Sequence, residues 1–143
     1  MNSFQDFAAF QNSPEFNQEL YDLGTDEEVL MLPTLKQFFN DDTLVRLPDG
    51  SHLDFVGKRK FIELKSRYIN RLKHDDTAIG VDKIKQVRIL HLQGVTSYFV
   101  FKFLDGTYYW QFDPTQRLGY RRLPPREILH YFIPIDKLTP LIV

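Results

Sequence analysis

The stretch His52–Tyr68, HLDFVGKRKFIELKSRY, admits few folds. Two apolar runs flank the basic tetrad Gly57-Lys58-Arg59-Lys60, the pattern of a tight β-hairpin. The runs carry polar exceptions at Asp54, Glu63 and Lys65. With the tetrad as the turn, Val56 faces Phe61, Phe55 faces Ile62 and Asp54 faces Glu63. Directly opposed residues of an antiparallel pair share a face, with Cβ atoms about 4.5–5.5 Å apart. Lys65 joins that face two positions after Glu63. Two carboxylates and an ammonium are therefore expected at one spot. Opposed like charges destabilise a sheet, so a partly buried pair must shift its pKa or find a cation. Lys65 is one cation. A hard divalent ion is another, because Mg²⁺ takes one or two carboxylates together with waters and phosphate oxygens. Such a group activates a water while a lysine stabilises charge at a scissile phosphate. The ordinary alternative is an exposed cross-strand ion pair, worth about 0–1 kcal/mol.

The rest of the chain supplies a frame for this hairpin. Phe4, Phe7 and Phe10 have helical spacing, and Pro14 is expected to end or redirect that element. TDEEVLMLPTLKQFFN reads as a helix with a capping box, Thr25 at N-cap and Glu28 at N3, and a kink at Pro33. TLVRL reads as a strand and PDG as a turn. NRLKHDDT reads as a polar loop. AIGVDKIKQVRILHLQG reads as a second helix, with Thr77 capping its start and Gly94 its end. TSYFVFKFLDGTYYWQF is two strands around an Asp-Gly turn. RLGYRRLPPR reads as an irregular basic segment and EILHYFIPI as a final apolar element. The expected class is α/β (α+β), a mixed β-sheet flanked by helices in the order α-β-β-β-α-β-β. At 143 residues the chain is expected to be one domain, 1–143. It divides into a helical extension (1–24), a core (25–112) and a basic segment with an apolar tail (113–143).

That order, with Asp54, an eight-residue gap and then Glu63-Leu64-Lys65, resembles the PD-(D/E)XK nuclease superfamily. ELKSRY and the following helix with Lys83 and Gln86 look like its small phage- and virus-type members. The resemblance covers about residues 25–112 and implies a restriction-endonuclease-like core. It also implies a metal-dependent nuclease that hydrolyses DNA phosphodiester bonds with Mg²⁺ or Mn²⁺. Its fit to the family pattern gives Asp54 and Glu63 as metal ligands, with the Leu64 backbone carbonyl completing the protein ligands. Lys65 orients or activates the water and stabilises the phosphate. Glu28, or its neighbour Glu27, is an auxiliary acid. Lys83 and Gln86 lie on the second helix, facing either the site or solvent. The family's aspartate often follows a proline. Here Leu53 precedes Asp54, while the literal pair is Pro48-Asp49. The hairpin register favours Asp54, and Asp49 stands as the alternative. The other reading is a nuclease-fold module that binds nucleic acid or protein without cleaving. A third is an unrelated α+β interaction domain.

Charge is unevenly placed. Residues 1–57 hold two basic and eleven acidic residues, net −9; residues 58–143 hold sixteen basic and eight acidic, net +8. A local basic face for a polyanion is compatible with the total of −1. Lys58, Arg59, Lys60, Arg67, Arg71 and Lys83 are the candidate nucleic-acid contacts, with a second set at Arg117, Arg121, Arg122 and Arg126. Tyr109 and Trp110 either stack on bases or pack in a strand. There is no cysteine, which excludes disulfides and thiolate zinc sites. No apolar run approaches the ~20 residues that span a bilayer, and the N-terminus has no basic region of a secretory signal. An intracellular, cytoplasmic place is expected, the host cell's if the chain is viral. Monomer and homodimer are both open, the apolar tail or the Phe stripe being the candidate interface.

Overall fold

A computed structural model describes residues 14–48 and 54–143 of the chain. Helix α1 (Pro14–Phe38) precedes a meander of β1 (Val45–Arg46), β2 (Phe55–Gly57) and β3 (Lys60–Ser66). A strand β4 (Asp76–Gly80) leads into helix α2 (Val81–Leu92). Then come β5 (Thr96–Phe103), β6 (Gly106–Gln111), β7 (Gly119–Leu123), β8 (Ile128–Pro134) and β9 (Thr139–Pro140). The main sheet has the order β1-β2-β3-β5-β6-β9, and β4-β8-β7 form a second sheet. Among the described residues only β3 and β5 pair in parallel within the main sheet, with Glu63 beside Phe99 and Lys65 beside Phe101; the crossover between them carries α2. The class is thus mixed α+β with a mixed sheet and helices on both faces.

Period-2 alternation decides which side each residue of β3 faces. Ile62 and Leu64 face α1 and pack with Met31, Leu35, Phe55, Val100 and Leu141. Phe61 faces the other way, into the larger core of α2 and the second sheet, with Ile79, Ile84, Val87, Phe99, Phe101 and Ile133. Glu63 and Lys65 share the Phe61 side and so point toward α2.

Several sequence expectations change here. Helix α1 begins at Pro14 and runs through Thr25 and Pro33, so Thr25 is an interior residue and not the N-cap. Pro14 opens the helix, as suits a residue with fixed φ and no N–H to satisfy. Thr77 is not the cap of α2: it is buried in β4, whose burial alternates, and Gly80 is the N-cap. The irregular basic segment is largely strand β7, because β8 supplies its ladder partners from Gly119↔Phe132 to Leu123↔Ile128. The apolar tail is absorbed into the chain's own core, with Ile133, Ile135, Leu138 and Leu141 buried. The expected end of α2 holds. Gly94 takes φ +82, its N–H donates to the His91 carbonyl, and Val95 N–H donates to Leu90, a Schellman closure. The Phe4–Phe10 stripe and, in the Pro48-Asp49-Gly50 turn, Asp49 and Gly50 lie outside the described residues. Among the described residues no helix is long and apolar enough to cross a membrane.

Candidate functional site

The hairpin register matches the sequence expectation at Phe55↔Ile62 and Val56↔Phe61; the turn is tighter than the expected tetrad, since Gly57 pairs with Lys60 and leaves Lys58-Arg59 as the loop. One step further along the ladder brings Asp54 opposite Glu63. Asp54 closes this end of β2, where its carbonyl accepts the Leu47 N–H and its Oδ2 accepts the Leu64 N–H at 2.8 Å. In a strand, N–H and C=O of one residue point to the same edge. The Leu64 carbonyl therefore also faces the side where Asp54 sits.

Glu63 is 3% exposed and stands between two ammonium groups: Lys65 Nζ is 3.2 Å from Oε1, and Lys83 Nζ is 3.1 Å from Oε2. Lys83 arrives from the first turn of α2. It precedes the buried Val87 by one helical turn, so the apolar stripe that seats α2 on the sheet ends in an ammonium aimed at β3. At 3.1 Å its ammonium sets a positive charge directly against the buried Oε2. Burial pushes the Glu63 carboxyl up, Lys65 and Lys83 oppose that shift, and Asp54 adds to it. Asp54 is also pushed up, first by burial and further by Glu28, against the Leu64 N–H and the two lysines.

These groups open onto a cleft of about 300 Å³ lined by Glu28, Asp54, Glu63, Leu64, Lys65, Ser66 and Tyr68. Of the two candidate auxiliary acids, Glu28 lines the cleft, with Arg46 at 3.8 Å. Glu27 is held elsewhere, accepting from Ser66 Oγ at 2.6 Å beside Lys102 Nζ at 3.4 Å. Tyr68 and Arg46 were not singled out by the sequence. Tyr68 stands three residues after Lys65, and Arg46 is the register partner of Phe55 beside Asp54.

The donor set fits a hard divalent ion in kind: two carboxylates of raised proton affinity and a backbone carbonyl on the same edge. It is sparse in number. Among the described residues no group of three or more Asp, Glu, His or Cys side chains is gathered to hold an ion unaided. Mg²⁺ tolerates this, since it keeps several waters.

The basic candidates divide. Lys58 and Arg59 are exposed at the hairpin tip, where Arg59 takes φ +55. Asp41 fixes that tip: its Oδ2 accepts from the Lys58 N–H at 2.9 Å and from Lys60 Nζ at 3.0 Å. Hydrogen bonds from Thr43, Lys58 and Lys60 hold the Asp41 carboxyl well below the usual range. Arg67 is turned inward, donating to Thr77 Oγ1 at 3.2 Å and to the Ala78 carbonyl at 2.6 Å, so it ties β3 to β4. Arg71 lies over the Tyr108 ring at 4.8 Å. Trp110 is buried against Phe99 and Phe112 and donates to Gln116, a strand-packing role, and Tyr109 packs on Phe38. Comparison with family models, curated proteins and solved structures gives no match.

Proposed function

We propose that the chain is a metal-dependent nuclease of the PD-(D/E)XK type that hydrolyses DNA phosphodiester bonds, in processing, repair or recombination of DNA. The observation that carries this reading is Glu63. It is a buried carboxylate flanked by Lys65 and Lys83, on the face that Asp54 shares by register, and it opens onto a polar cleft. The element order adds support. An antiparallel meander, a helical crossover and a parallel fourth strand are the arrangement of the restriction-endonuclease-like core.

In this reading Asp54, Glu63 and the Leu64 carbonyl hold Mg²⁺ or Mn²⁺, with Glu28 as an auxiliary acid at the cleft wall. The ion, when bound, lowers the pKa of a water and polarises the phosphoryl oxygens. Lys65 is free to leave Oε1 once the carboxylate is otherwise neutralised, and its ammonium then stabilises charge at the reacting phosphate. Leu64 N–H fixes the orientation of Asp54. Lys65 and Lys83 oppose the upward push that burial gives the Glu63 carboxyl. Lys58 and Arg59 at the hairpin tip add phosphate contacts without sequence information.

Nicking of supercoiled plasmid with Mg²⁺ or Mn²⁺ tests this, with loss on EDTA and in Glu63→Ala. One observation favours a catalytically silent nuclease-fold module: both Glu63 oxygens already face cations. Calorimetric titration with Mn²⁺ separates the two, since the silent module binds no ion at this carboxylate.

A further inference from the structure

We propose that the β7–β8 hairpin is an arm for duplex DNA whose arginines grip the phosphate backbone beside the cleft. The proposal rests on the nuclease reading for its setting, although its own evidence lies elsewhere in the fold. Four arginines, 117, 121, 122 and 126, fall within fifteen residues (117–131) that contain a single acid, Glu127. All four are exposed, as is every residue of β7 except Leu123. Among the described residues β7 is an edge of its sheet, with no described strand on its far side. Core packing accounts for little of this segment: Tyr120 is 68% exposed, with its ring against the edge of Tyr131.

The register sets where the arm points. β4 ends at Gly80, opposite His130, and the ribbon continues past it through Leu129↔Arg122 and Ile128↔Leu123. Two further pairs project it by about 7 Å at ~3.4 Å per residue, and the Pro124–Glu127 turn carries Arg126 beyond that. Gly80 caps α2, and Lys83 in the first turn of α2 touches Glu63. The arm therefore leaves the body next to the helix end that meets the candidate site.

Its chemistry selects a polyanion of repeating phosphates. Guanidinium matches phosphate bidentately, and a two-stranded ribbon has the width that a duplex major groove admits. Arg121 is already held flat, with its guanidinium 3.7 Å from the Phe132 ring centroid and its side chain 60% exposed, so less freedom is lost on binding. Asp76 is 4.0 Å away, a distance that leaves this charge open to competition from phosphate.

The test is fluorescence anisotropy of a labelled duplex across a salt series, in EDTA so that no cleavage is needed. The parent is compared with Arg122→Glu/Arg126→Glu and with the charge-keeping pair Arg122→Lys/Arg126→Lys. The expected results are an affinity about tenfold lower in the glutamate pair and a log–log salt slope reduced by about 2, with the lysine pair close to the parent. Equal affinity and slope in parent and glutamate pair overturn the arm. So does loss of binding in the lysine pair as well, or a parent that binds single strands but not duplex. Arm-dependent duplex binding without plasmid cleavage leaves the arm standing and removes the nuclease reading. Plasmid cleavage with binding indifferent to the arm does the reverse.

Discussion

Lys83 Nζ lies 3.1 Å from the buried Glu63 carboxylate, bridging α2 and β3. The contact lowers the proton affinity that burial raises, so its loss moves the Glu63 pKa further up. Lys83→Ala should therefore shift the acidic limb of the cleavage pH profile to higher pH. A limb at the parent's pH would show that Glu63 is not the group titrating there.

Lys65 is partly exposed, so its removal should leave the fold intact. Lys65→Ala is expected to lower single-turnover cleavage by about 10²–10³, the usual cost of one preorganised charge-stabilising group. Melting temperature and duplex affinity should stay near the parent's. Parent-like cleavage by this variant would remove Lys65 from the chemistry.

The raised pKa values of Asp54 and Glu63 set the sign of a stability effect. Their neutral forms contribute stability that is fully present below the ordinary carboxylate range. It is lost as pH rises through the higher folded values, because the folded protein there holds protons the unfolded chain has released. Metal-free protein should melt higher as pH falls from neutrality toward the ordinary carboxylate range. The double variant Asp54→Asn/Glu63→Gln should lose that slope. Parallel pH curves for the two proteins would contradict the assignment.

Gly57 abuts Asp41: a Cβ built there would lie 2.5 Å from Oδ2 and 3.0 Å from Leu44 Cδ1. Gly57→Ala should cost about 1–3 kcal/mol in denaturant unfolding, the range for overpacking. In an Asp41→Ala background that cost should shrink, since the two sites share the contact. An unchanged cost would place the strain elsewhere.

Arg67 separates a structural from a DNA-binding role. Its removal leaves Thr77 Oγ1 and the Ala78 carbonyl without their donor. Arg67→Ala should destabilise the protein by about 1–3 kcal/mol and leave the salt slope of duplex binding unchanged. A reduced slope at parent stability would place its guanidinium on phosphate.

What could be read from the sequence was local. The Asp54–Glu63–Lys65 face follows from a short turn and a period of two, and the Gly94 closure from turn chemistry; the second hairpin was also legible, but its loop is Leu104-Asp105, one residue before the expected Asp105-Gly106, because Gly106 pairs with Phe103. β4 was hidden because Ile79 and Val81 extend the apolar spacing of α2 backwards, while its pairing partner β8 lies about fifty residues away. β7 was hidden because an edge strand whose stability comes from ladder bonds can be rich in arginine. The capping box at Thr25 was a sound local signal overridden by a helix already under way from Pro14. Lys83 was named from the sequence as facing either the site or solvent, and the structure sets it against Glu63. The inward direction of Arg67 was not legible, because it depends on β4.

The most direct measurement is plasmid nicking by the parent and by Glu63→Ala, each with Mg²⁺, Mn²⁺ or EDTA and each checked for an unchanged melt. Metal-dependent nicking by the parent that vanishes in EDTA and in Glu63→Ala is the predicted result. Nicking that survives Glu63→Ala, or none by the parent with either ion on duplex or single-stranded DNA, would contradict the account.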